Sequence, residues 1–114
     1  MGKLKTFDSI LEPDSVQSAF ALVNRATGEV RQRTLRDHYS QIEEIVLNAE
    51  VPEEIREHFE TARNLYLYTW FVYRFGPVAE MHAIASLEYA LKVKSNEAVF
   101  GLKRLLKLAI QKKW

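Results

Sequence analysis

The chain has 114 residues, 47% of them hydrophobic and 27% charged, with a net charge of +1; that size and mix are expected of one globular domain, residues 1–114. It contains no cysteine, which excludes disulfides, thiolate metal sites and cysteine nucleophiles. Its four glycines are scattered, so the glycine-rich phosphate cradles are excluded too, and no cofactor is expected.

Residues 1–12 read as an irregular arm. No long apolar stretch follows Met1, so no signal peptide is expected. A cysteine-free chain without a leader suits the cytoplasm. Pro13-Asp14-Ser15 can open a helix, and Val16, Ala19, Phe20 and Val23 then fall on one helical face, with Gly28 to close it. The rival is an N-terminal hairpin, because Ala26-Thr27-Gly28-Glu29 is good turn chemistry. The helix is the preferred expectation.

Thr34 is placed to cap the next helix, with Asp37 at its third position and Leu35, Tyr39, Ile42, Val46 and Ala49 as its stripe. This helix should stop near Asn48, since Pro52 forbids helical geometry at Val51. Pro52 then opens a third helix with Glu53 and Glu54 in its first turn. Its apolar face runs from Ile55 to Tyr73, and its second half is expected to be buried all round. Seven of the thirteen aromatic residues lie between Phe59 and Phe75, so this block is the expected core. Gly76-Pro77 should stop or kink the helix. Val78–Val93 is helical again, Ser95-Asn96 turns the chain, and Glu97–Lys113 forms a last amphipathic helix. The fold class is therefore mainly all-α: a bundle of about five helices with a kinked central pair.

Residues 64–91 are long and mostly apolar, yet they carry Arg74, Glu80, His82 and Glu88. Each charge would cost about 3 kcal/mol or more at a bilayer centre, so no membrane partner is expected. In a soluble core these groups need partners. An Arg74–Glu80 or Arg63–Glu88 pair across the Gly76-Pro77 corner would supply them, and Arg63, Arg74, Glu80, His82 and Glu88 form the candidate polar cluster. His58 lies one helical turn after Glu54, but no HExxH or Glu-x-x-His pair is present, so no metal site is expected. His82 and Ser86 are i, i+4 neighbours, with Ser86 read as a small packing residue.

Charge is segregated along the chain. Residues 42–60 hold seven acids and one base, and residues 92–114 hold seven bases and one acid. Two solvated faces that attract each other, within the fold or across a dimer, explain this most simply. The sharper alternative is nucleic-acid contact through Lys103, Arg104, Lys107, Lys112 and Lys113.

Four segments carry a family resemblance: Arg63-Asn64-Leu65-Tyr66 leading to Trp70-Phe71, Pro77-Val78-Ala79-Glu80, Ala85-Ser86-Leu87-Glu88-Tyr89-Ala90-Leu91, and Leu102–Ile110. Across residues 52–113 the chain resembles the front part of a HEPN-type helical domain. The resemblance implies an all-helical fold, and in the family's ribonucleases an Arg-x4–6-His motif on a later helix. This sequence has no such motif in that position; Arg33 and His38 satisfy the bare spacing only at the entry to an early helix, and no catalytic role is carried onto them. The chain then reads as the N-terminal part of a longer protein or as a small relative without the activity. Phe100, Leu108 and Trp114 offer apolar surface beyond the stripe needed inside. The leading expectation is a non-enzymatic domain that contacts a protein partner or a second copy of itself. A truncated HEPN-like ribonuclease or defence-system component is the alternative.

Overall fold

The structure, a computed structural model, describes residues 3–96 and 101–113. Among them are two strands, β1 (Ala21–Val23) and β2 (Val30–Gln32), and four helices, α1 (Leu35–Glu43), α2 (Glu53–Leu67), α3 (Phe75–Ser95) and α4 (Leu102–Lys112). Short 3-10 turns at Phe7–Ser9, Ser15–Ala19 and Tyr68–Trp70 complete the order. The chain is mainly helical, as expected, but has four α-helices among the described residues where about five were expected. Glu97–Phe100, which the expected last helix would include, and Trp114 lie outside those residues.

The expected helix over Val16–Val23 is corrected. Helical geometry stops after the 3-10 turn at Ala19, and the rival hairpin forms, with Ala21 opposite Gln32, Leu22 opposite Arg31 and Val23 opposite Val30. Gly28 does adopt a left-handed backbone (φ +75°), but in the hairpin loop. Asn24 closes that loop: its N–H donates to Glu29 O at 2.8 Å, its carbonyl accepts from Gly28 N at 2.7 Å, and its side chain accepts from Ala26 N.

Thr34 caps α1 as expected, in a reciprocal box with Asp37. Arg31 of β2 then grips the Asp37 carboxylate with both terminal nitrogens at 2.8 Å, fixing hairpin to helix. Arg31 and the Thr34 cap together hold that carboxyl well below the usual carboxylate range. The helix ends five residues before the expected Asn48. Its last carbonyls have found a partner from elsewhere: Arg63 of α2 donates to Ile42 O at 3.0 Å and to Glu43 O at 3.3 Å.

Pro52 opens α2 with Glu53 and Glu54 in the first turn, as expected. The corner that follows is displaced. Gly76 and Pro77 do not break a helix; they sit in the first turn of α3. Proline is tolerated there because the first-turn N–H groups have no intrahelical acceptor. The chain turns one step earlier, over Tyr68–Arg74, where tertiary partners hold the α2 end. Asn96 closes α3 in the left-handed region (φ 59°).

Helices α2 and α3 make the main packing contact, with α1 against α2 and α4 against α3. The fully buried residues on the facing sides are small or branched: Ile55 and Ala62 on α2, Ala79 and Ser86 on α3, and Leu105 on α4. Small residues at 62, 79 and 86 let the two long helices approach closely.

The expectation of a dry aromatic core is corrected. Of the seven rings between Phe59 and Phe75, only Trp70 is buried, and Phe59 and Phe71 are half-buried. Tyr66, Tyr68, Tyr73 and Phe75 are exposed. The helix meant to bury them all round ends at Leu67, so the later rings rim the corner instead of lying between helices. Leu108, expected as surplus surface, is half-buried.

Candidate functional site

The five residues of the expected polar cluster fall in separate places. Arg63 pairs with Glu60 at 2.7 Å, and Glu88 pairs with Lys92 at 3.1 Å. Arg63 and Glu80 line one apolar cavity of about 170 Å³ beside Ile42, Ala62 and Ala79. Arg74 lines a different groove, shared with the N-terminal arm. His82 belongs to a third group, on the α2–α3 interface.

In that group the His58 and His82 rings stack at 4.5 Å with planes 12° apart. The buried Ser86 hydroxyl donates to His82 O at 2.9 Å, so it accepts the Nδ1–H of His58 at 2.6 Å. The arrangement superficially matches a Ser–His dyad. However, Ser86 is 2% exposed, and its hydroxyl proton is committed to a helix carbonyl. It links two helices rather than attacking a substrate. Sequence reading found the His82–Ser86 neighbourhood but weighed His58 only beside Glu54, whereas its partner Ser86 lies 28 residues away. Ser86→Ala is expected to cost about 1 kcal/mol and to release the His58 ring from its Nδ1–H tautomer. Nitrogen NMR of the imidazole reads both states, and an unchanged tautomer balance would show that the hydroxyl does not hold the ring.

The Arg33–His38 pair does come together in space. Arg33 donates to His38 Nδ1 at 2.8 Å and to Gln41 Oε1 at 2.8 Å. That bond leaves the proton on Nε2, which donates to Tyr66 O at 2.9 Å and Leu67 O at 3.1 Å. The ring is buried between Tyr66 and Trp70, with centroids 5.5 and 5.9 Å away. Burial, and then the Arg33 charge, push the imidazole below its ordinary value. Both nitrogens are spent on the fold, so His38 has no lone pair or mobile proton to offer a substrate. It caps the end of α2 in a role that no local sequence signal announces.

A second staple sits nearby. Asp14 accepts from Val16 N at 3.1 Å and Tyr73 N at 2.9 Å, and its own N–H donates to Trp70 O at 2.8 Å. Those backbone donors hold its carboxyl below the ordinary value.

On α4, Lys103, Arg104, Lys107 and Lys112 are exposed, together with Leu106, Ile110 and the C-cap residue Lys113. The ion pairs among the described residues are local, Arg31–Asp37, Glu60–Arg63 and Glu88–Lys92. None of them joins the acidic stretch to the basic one. His/Cys/Asp/Glu groups large enough to hold a metal are absent among the described residues, and no described helix is long and apolar enough to cross a membrane.

The chain also exposes more surface than its size requires, with many large hydrophobic side chains in it. The chain exposes 8990 Å², whereas a folded monomer of this mass exposes about 6,500 Å². Its radius of gyration is 17.9 Å, against about 13 Å for a compact chain of this length. Helix α3 is apolar around most of its circumference, yet Val78, Met81, Ile84, Leu87 and Val93 face water, Met81 with 71% of its surface. No protein-family model matches the chain, and neither the curated proteins nor the solved structures contain a significant match.

Proposed function

We propose that this chain is a non-enzymatic helical module that works through protein–protein contact and associates with itself. The observation that carries the reading is the surplus of about 2,500 Å² over the surface of a lone folded domain. Obligate homodimers hide a similar area, about 1,000–2,500 Å² on each protomer. At about 25 cal/mol per Å² of apolar area, leaving such a surface in water is costly, and large apolar patches mark association sites.

The polar groups support the same reading. In the two arrangements nearest to catalytic chemistry, the Ser86 hydroxyl proton goes to the His82 carbonyl and both ring nitrogens of His38 are engaged within the fold. The alternative, a truncated HEPN-like ribonuclease or defence-system component, draws no support from these two arrangements. A cysteine-free sequence suits action in the reducing cytoplasm.

Size-exclusion chromatography with light scattering tests the proposal. A mass near twice 13.3 kDa at micromolar concentration is the expected result. A strict monomer at several hundred micromolar would end this reading.

A further inference from the structure

The solvent side of α3 and its N-cap carries a stripe that is complementary to itself. Arg74, Val78, Met81, Ala85 and Glu88 recur at spacings of four, three, four and three, which keeps them on one helical face. All but Glu88 are exposed, and Glu88 is partly so. The centre of the stripe, Met81, is the most exposed large hydrophobic residue of the helix. Arg74 lies seven residues before it and Glu88 seven residues after it, about 10 Å along the axis in each direction.

We infer that a second copy of this chain docks here, with the two α3 helices antiparallel and a two-fold axis passing by Met81. This inference rests on the self-association proposed above and names its surface. The axis sets Met81 beside its own mate. Val78 of each copy then faces Ile84 of the other, and Pro77 faces Ala85. Arg74 of each copy meets Glu88 of the other, once at each end.

Three observations select this partner and direction. The surplus surface is about three times the 800 Å² that a standard interface hides on each protomer, so a second copy has area to spare. The charges settle the orientation: parallel pairing would set Arg74 beside Arg74 and Glu88 beside Glu88, whereas antiparallel pairing makes both contacts attractive. The charged groups are also available. Arg74 has no acid in ion-pair range among the described residues, and Glu88 is about one-third exposed in a local pair with Lys92 on its own helix. An isologous patch of this kind closes at two copies and does not grow.

The test uses the full chain, whose lack of cysteine makes an introduced thiol unambiguous. Met81→Cys under mild oxidation is expected to give at least ten times more disulfide-linked dimer than Lys94→Cys, an exposed position on another side of the same helix. Arg74→Glu or Glu88→Arg alone should weaken dimerisation at least tenfold, and the double exchange should restore it. If the chain dimerises but Met81→Cys links no faster than Lys94→Cys and the double exchange rescues nothing, this surface is wrong while self-association stands. A monomer throughout removes both. Mass that keeps growing with concentration marks a head-to-tail contact and overturns the two-fold arrangement. Should Met81→Cys misfold by circular dichroism, the charge exchange alone decides: rescue by the double exchange supports this surface, and no rescue overturns it.

Discussion

Trp70→Ala is expected to cost about 3–5 kcal/mol, the usual penalty for deleting a buried indole. For a domain whose whole stability is of the order of 5–15 kcal/mol, that is enough to unfold a large share of the population. Trp70 is the only ring of the aromatic block that is buried, at 6% exposure. It sits in the 3-10 turn between α2 and α3, against the His38 ring. Its carbonyl takes the Asp14 N–H, and the preceding Thr69 carbonyl takes the Gln17 side chain at 3.3 Å. The indole therefore fills the point where the N-terminal arm, α1 and the α2–α3 corner meet. Among the described residues the remaining buried hydrophobic ones are few and aliphatic, so they offer little to collapse into the hole. Urea unfolding followed by circular dichroism measures the loss. A cost below about 1 kcal/mol would show that this corner is held by something other than Trp70. Tyr68→Ala, at an exposed ring two residues away, should stay within about 1 kcal/mol.

The contrast between these neighbours shows where sequence reading works. Signals that act within one turn of backbone were legible. Thr34 with Asp37 announced the start of α1, Pro52 with two glutamates announced α2, and Asn96 marked the end of α3. What was not legible depended on partners far along the chain. Helix α1 ends early because Arg63, about twenty residues later, caps its carbonyls. The α2–α3 corner moved because His38 and Asp14 hold its backbone groups from 28 and 59 residues away. Apolar periodicity identified the faces of α3 but could not say which of them finds a partner, since the helix is apolar nearly all round. The same ambiguity sent the Val16–Val23 segment to a helix when a six-residue loop closed by Asn24 made it a strand. For the site, spacing placed His82 beside Ser86, but the ring that joins them comes from another helix.

His38→Leu carries the second large effect, and it has a pH signature. Leucine keeps most of the buried volume but removes the donor to the last carbonyls of α2. Thr69 Oγ1 still serves Tyr66 O at 2.6 Å, so the chief loss is the His38 bond to Leu67 O, and the expected cost at pH 7.5 is about 1–3 kcal/mol. Acid should remove much of the same contribution from the native chain. Protonating Nδ1 abolishes the bond from Arg33 and sets two cations 2.8 Å apart, and burial opposes the charged ring first of all. The folded chain therefore binds this proton less readily than the unfolded chain, whose imidazole titrates near 6.5. Below about pH 6.5 the unfolded state takes up a proton that the folded state resists, so stability falls as pH falls and is fully present above that value. The Asp14 and Asp37 carboxyls are also held below their ordinary values, but they enter only further down, below about pH 4. Urea midpoints compared at pH 7.5 and 5.5 should thus drop in the native chain and change less in His38→Leu. Equal drops in both chains would assign the acid limb to other groups and leave His38 as a packing residue.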